Sequence, residues 1–213
     1  MSYIAERRQE EKERRRAEIL DAAEAVCAVV GWDDMTMDQV ARKARLSRAL
    51  LYVYFKDKQD LLFGLCERAL GILRQRFLDA VSRQRRGLDQ MAAIGRAYVA
   101  FSQEFPVYFE VVARCEVLTP DPEVESNEAA VLHRGDQARA LMVAVIETGI
   151  RDGSIRSDVG DTKVVSTVLW GYMHGVLQLA STKANVLAHD GVNIKHLVDQ
   201  ALVMATRSIE ART

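Results

Sequence analysis

The sequence predicts an all-α protein, and two observations carry that reading: chain breakers are scarce, and apolar residues recur at helical spacing. Three Pro and twelve Gly punctuate 213 residues rich in Ala, Leu, Val, Glu and Arg, a composition that favours long helices over short strands joined by tight turns. At 49% hydrophobic, the chain can bury a core and form one or two domains.

Taken in order, Ile19, Ala23, Val26, Cys27 and Val30 share a helical face, and Gly31 follows where a helix would stop. This predicts a first helix over about 16–30, preceded by a charged arm over 1–15. Thr36 then caps a second helix, with Gln39 three residues later able to reach back to the cap backbone. After a break at Arg45 and Leu46, Ser47 caps a brief third helix ending near Phe55. Two short helices flanking a tight turn make a helix-turn-helix. Asp57 and Asp60 favour the start of a fourth helix, by capping and by placing negative charge at the positive end of its dipole. Leu61, Leu65, Leu70, Leu73, Phe77 and Val81 keep that helix apolar to about residue 85, so it joins the domain over 16–62 to a second one without a flexible linker. Breaks at Arg86-Gly87, Phe105-Pro106, Pro120-Asp121-Pro122 and Asp152-Gly153 divide the remaining 86–213 into further helices, and 119–127 reads as a mobile loop.

Several classes of function are disfavoured. The apolar runs 141–146 and 164–169 fall far short of the roughly 20 residues that cross a bilayer. The N-terminus is a mixed charged run without the apolar core of a secretory signal, so a cytoplasmic protein with no membrane partner is expected. Cys27, Cys66 and Cys115 are odd in number and widely spaced, which reads as buried small hydrophobes rather than a disulfide framework or zinc site. His189 and His196 lack partners at metal spacing, and neither a nucleophile–base pair, a Gly-rich phosphate loop nor a cofactor motif is recognisable. An enzyme, a cofactor and a bound metal are therefore not expected.

The net charge of −1 conceals a local concentration. Between Arg42 and Lys58 six cations (Arg42, Lys43, Arg45, Arg48, Lys56, Lys58) face one anion, Asp57, a balance of +5 centred on the helix-turn-helix. That is a footprint for a polyanion. Leu51 and Phe55, four apart, define the inner face of the third helix, with Leu46 anchoring the turn. Arg48, Ala49, Leu50, Tyr52, Val53 and Tyr54 are left to face outward.

The ordered set Ile19-Leu20, Ala22-Ala23, Gly31, Thr36, Val40-Ala41, Ala44, Leu46-Ser47, Leu51-Tyr52, Phe55, Lys58 and Leu61-Leu62 resembles the N-terminal domain of the TetR/AcrR family of bacterial transcriptional regulators. The resemblance implies a sequence-specific regulator, commonly a repressor, that binds a palindromic duplex operator as a homodimer and is released by an apolar small molecule. An activator, or an interaction module without an effector, is the alternative. Tyr52 and Lys58 match positions that clamp the phosphate backbone, and Tyr54 one used for phosphate or base contacts. Thr36 and Ser47 stand at helix N-termini that receive phosphate oxygens. Arg48 either reads a guanine edge or remains a solvated charge, and Ala49, Leu50 and Val53 can touch thymine methyls. The arm either follows the DNA or extends the first helix into solvent. The family usually carries glycine where this chain has Arg45, so the turn either adopts another conformation or accepts strain to aim Arg45 at a phosphate.

Beyond about residue 85 the resemblance thins to Arg151–Arg156, Trp170, His174 and Gly175, similar to the penultimate region of such regulators, whose last two long helices form a four-helix dimer bundle. Val165, Leu169, Met173 and Leu177 make one stripe on that helix, with Val168, Tyr172 and Leu179 on others, so one side is expected to meet its own domain and another a second subunit. Val165, Leu169, Met173 and Leu177, with Leu197 and Ala201 on the last helix, are the expected dimer residues. Phe101, Phe105, Tyr108, Phe109, Met142, Trp170 and His174 are the candidate lining of an effector cavity, with His174 more simply a packed helix residue.

Overall fold

A computed structural model describes residues 3–115 and 126–211. Among these residues the chain forms α1 (Tyr3–Asp34), α2 (Met37–Lys43), α3 (Arg48–Tyr54), α4 (Lys58–Ser82), α5 (Gly87–Glu104), α6 (Pro106–Arg114), α7 (Asn127–Arg151), α8 (Thr162–Thr182), α9 (Ala184–His189) and α10 (Ile194–Ile209). No strand occurs among the described residues; Ile155 and Glu210 form an isolated antiparallel bridge. The chain divides into two compact units, one from residues 1–69 and 107–132, the other from 70–106 and 133–213. The loop expected over 119–127 lies largely outside the described residues.

In the first unit α1 is twice as long as expected. The arm is helical from Tyr3, and its alternating charges explain why: Arg14 and Arg15 pair with Glu11 and Glu18 at three- and four-residue spacing, the arrangement that supports an exposed helix. Gly31 interrupts the helix where a stop is expected, at φ 78° and ψ 166°, and one further turn follows to Asp34. Ile19, Leu20, Ala23 and Cys27 bury the inner face of α1, with Val40, Leu51, Phe55, Leu61 and Leu65 in the same core. Polar contacts then fix the frame. Arg16 reaches Glu67 and Asn127 at 2.9 and 2.7 Å, and Asn127 donates to Asp60 at 2.8 Å. Arg68 donates to Asp21 and to the Ala17 carbonyl.

Cys27 and Cys66 are buried, as small hydrophobes would be, and Cys115 is half-buried. Distance in sequence concealed one contact: the Cys66 and Cys115 thiols hydrogen-bond each other, which with burial pushes the Cys66 thiol far above its ordinary range.

In the second unit α10 packs on α8 and α5. The helix α5 starts against α7 at backbone contact. A Cβ on Gly87 would lie 2.1 Å from the Gly149 nitrogen, so the expected break at Arg86-Gly87 is also a packing requirement. The Gly87 amide donates to Asp152 and the Leu88 amide to Ser154, satisfying two orphan donors of α5. The short α9 was not anticipated, and α4 ends at Ser82 rather than near 85.

Candidate DNA-binding interface

The turn between α2 and α3 carries the geometry of the site. Ala44 closes α2 in the right-handed region, and Arg45 follows at φ 58°. The Leu46 amide donates to the Ala41 carbonyl at 2.9 Å and the Arg45 amide to Arg42 at 3.1 Å. These two bonds make a Schellman ending, whose left-handed position is usually glycine. Of the two conformations left open for Arg45, the strained one is found, at a cost of roughly 1–2 kcal/mol. The exposed Arg45 side chain projects from the turn among Arg42, Lys43 and Arg48 in sequence.

Both short helices begin on their expected caps. Thr36 Oγ1 accepts from the Gln39 amide while Gln39 Oε1 accepts from the Thr36 amide at 2.7 Å, completing a capping box. Ser47 Oγ accepts from the Leu50 amide at 3.2 Å, which leaves its O–H to donate elsewhere. Seven residues then make two turns of α3. Leu51 and Phe55 are fully buried, while Leu50 and Tyr52 are each 37% and Val53 77% exposed, with Arg48 and Ala49 exposed beside them. The ring of Phe55 is seated over Gly64 of α4, where a Cβ would come within 2.7 Å of Cε1. That glycine had no sequence signal, because the close approach links residues on different helices.

Two outward cations are already engaged within the protein. Arg48 Nε lies 3.2 Å from Asp38 Oδ1 on α2, and its guanidinium lies over the Tyr52 ring at 5.6 Å. Its pKa is raised, first by a hydrogen bond with Tyr52 and then by Asp38. Lys58 Nζ donates to the Asp33 carbonyl at 3.0 Å and lies over Trp32 at 5.0 Å. Asp38, Asp33 and Trp32 were not singled out by sequence reasoning. Asp38 ties α2 to α3, while the Asp33 carbonyl and the Trp32 ring tie the end of α1 to the start of α4. Tyr54, half-buried at the end of α3, lines an open groove with Tyr3, Arg7, Arg8 and Lys12 of the arm.

The expected effector lining is divided between the two units. Tyr108 belongs to the first unit, where it donates to Glu24 and receives Arg68; desolvation there pushes its hydroxyl up to about 12. Phe109 is buried in the same unit. Phe101 is fully buried core, and Phe105 packs on it at 5.7 Å with Arg76 over its outer face at 4.9 Å. Only Met142 and Trp170 line an apolar cavity in the second unit, with His174 one hydrogen bond behind its wall through Tyr98. Aromatic density in sequence reflects in part packing within each unit.

The expected dimer stripe is likewise corrected. Leu169, Met173, Leu177 and Ala201 are buried within the protomer, and Val165 and Leu197 are half-buried. The apolar residues left exposed on α8 are Val164, Val168, Trp170 and Leu179, of which Val164, Val168 and Leu179 are spaced with Gly171 and Gly175 along one side; Val203 and Met204 are exposed on α10. Periodicity showed two stripes but could not say which one the protomer itself covers.

A short helix seated by Leu51 and Phe55, cap to cap with a preceding helix and crowned with cations, defines a helix-turn-helix DNA-binding domain. Residues 19–65 match the family described as bacterial regulatory proteins, tetR family. The chain is 25% identical over 159 residues to the fatty acid metabolism regulator protein of Bacillus subtilis (strain 168), spanning 72% of this chain and 77% of that protein. Its fold is similar to that of the transcriptional regulator FadR from Bacillus subtilis in complex with stearoyl-CoA, with a TM-score of 0.68 at 17% identity over 91% of this chain and 99% of that one. It is also similar to the ketosteroid transcriptional regulator KstR2 of Mycobacterium tuberculosis, with a TM-score of 0.65 at 20% identity over 93% and 96% of the two chains. The family match thus falls on the inner part of α1, on α2 and α3, and on the first turns of α4. These similar proteins are named as regulators.

Proposed function

We propose that the protein is a homodimeric repressor that holds a palindromic operator and releases it on binding an apolar small molecule. The observation that carries the reading is the two-sidedness of α3: Leu51 is fully buried while Val53, two residues on, is 77% exposed, within the stretch that holds six cations. In this reading Arg48 contacts a base once it exchanges Asp38 for DNA, and Ala49, Leu50 and Val53 meet thymine methyls. Arg45, Tyr52, Tyr54 and Lys58 contact phosphates, with Thr36 and Ser47 at the helix starts.

The second subunit covers the exposed side of α8 and α10. Val164, Val168, Gly171, Gly175 and Leu179 repeat at intervals of three and four, so they form one stripe. The two glycines leave open space where a Cβ would stand, room for another helix to approach closely. Two-fold symmetry then spaces the recognition helices at about 34–36 Å or a multiple of a DNA turn. An apolar effector is supported by the cavity in the second unit and by what the similar regulators are named for, fatty acid metabolism, stearoyl-CoA and ketosteroid. A coupling of about 1–3 kcal/mol between effector and operator changes affinity roughly 5- to 150-fold.

Selection of bound duplexes from a random pool tests the reading. The expected product is a palindrome with steep salt dependence, near −0.9 in log–log slope per neutralised phosphate. Absence of any preferred sequence overturns it.

A further inference from the structure

The cavity in the second unit is small, about 40 Å³, and lined by Phe77, Met91, Met142, Met173, Trp170 and Leu202 among others. Drug-sized ligands occupy about 300–1,000 Å³, so a ligand must enlarge it. The walls suit that task. Three are methionines, unbranched thioethers that change rotamer at little cost. A fourth, Leu202, lies against Gly95, where a Cβ would come within 2.9 Å of its Cδ2, so its present rotamer uses the space that position 95 leaves.

The polar features are equally specific. None of the residues lining the cavity is charged. Tyr98, which lines it, has its hydroxyl 2.7 Å from His174 Nδ1, and the Trp170 indole N–H donates to the same oxygen at 3.4 Å. Thr206, also in the wall, donates its hydroxyl to the Leu202 carbonyl. Burial pushes the Tyr98 hydroxyl up to about 12 and lowers His174 from its ordinary value, so both stay neutral near pH 7. The Tyr98–His174 hydrogen bond can run in either direction. When Nδ1 accepts, the phenol proton is held; when the other tautomer donates, that proton is released for an outside acceptor.

We infer that this cavity is the closed form of the effector site, and that the part of the effector entering it is uncharged and mainly hydrocarbon, with one ketone or alcohol oxygen seated at Tyr98 and Trp170. A carboxylate would lose its hydration without gaining a cation, a penalty no residue in the wall offsets. This rests on the reading of the chain as a repressor released by an apolar small molecule.

Calorimetric titration of the full-length protein at pH 8 with 2-decanone and with decanoate tests it, two chains of equal length differing in head group. The ketone is expected to bind at least tenfold more tightly. Tyr98→Phe, checked by its melting temperature, is expected to weaken ketone binding about tenfold and narrow the gap between the probes; Trp170→Phe serves as the second variant if the first does not fold. Equal or tighter binding of decanoate, an undiminished ketone affinity in a folded variant, or no binding of either probe overturns the inference. Displacement of the selected duplex by each probe separates the two readings. If decanoate releases DNA and 2-decanone does not, the effector-released repressor stands while the uncharged ligand class falls; if no palindrome is selected at all, the repressor reading fails first.

Discussion

Arg48 and Asp38 form an ion pair between α3 and α2, Nε to Oδ1 at 3.2 Å, on the face proposed to meet DNA. The carboxylate occupies the group that a guanine edge would use, and it adds negative charge beside the incoming phosphates. Asp38→Asn is therefore expected to tighten duplex binding several-fold at low salt. Arg48→Ala is expected to weaken it about five- to hundredfold at the matched operator while changing non-specific affinity much less. Fluorescence anisotropy on matched and mismatched duplexes measures both. Equal losses on the two duplexes would falsify base readout by Arg48.

Arg45 holds a left-handed backbone at φ 58°. Arg45→Gly relieves about 1–2 kcal/mol of strain and removes a cation from the turn. It is expected to raise the melting temperature by a few degrees, and to make the salt dependence of duplex binding shallower by about 0.9. Opposite signs for stability and affinity in one variant are the diagnostic result; an unchanged salt slope removes the phosphate role.

Gly64 gives Phe55 its seat, with only 2.7 Å between Cε1 and the place a Cβ would occupy. Gly64→Ala forces that ring outward, and overpacking of this kind costs about 1–3 kcal/mol. Because Phe55 closes α3, a larger fall in duplex affinity than in melting temperature would show that the recognition helix has been displaced rather than the whole domain loosened.

Val168 and Leu169 are neighbours with opposite fates, one 63% exposed and the other buried. Val168→Glu is expected to leave a folded monomer in sedimentation experiments and to abolish tight operator binding. Leu169→Ala is expected to lower stability by about 2–5 kcal/mol, since it hollows the protomer's own core. A dimeric Val168→Glu protein sinks the proposed interface.

His174 has its pKa lowered by burial, so the folded state resists a proton that the unfolded chain accepts near pH 6.5. Stability is then full above that value and falls as pH drops below it, down to the depressed folded pKa. His174→Gln is expected to flatten the denaturation midpoint between pH 7 and 5. Tyr98 has the converse dependence: raised to about 12, it favours folding below pH 10 and loses that contribution as pH climbs from about 10 to 12.

Most of the helix-turn-helix was readable because its determinants are local. The Thr36–Gln39 box, the Ser47 cap and the four-residue spacing of Leu51 and Phe55 each act within one helical turn. The arm over 3–15 was harder to read, because alternating charges are compatible with both a helix and a free tail. Asp38, Gly64 and the Cys66–Cys115 contact were not readable at all. Each depends on a partner nine or more residues away, and no periodicity within one segment reports such a meeting.

The sequence by itself determined that the protein is helical, that a capped helix-turn-helix lies near its N-terminus, and that positive charge gathers there. It also determined that the helix over 164–180, α8 in the structure, has more apolar surface than one neighbour can cover. Only the tertiary structure decided which stripe of that helix belongs to the protomer, which aromatics surround the cavity, and which cations are already paired. Hydrophobic spacing specifies that a face will be buried but not against what; the partner is chosen by packing among whole helices.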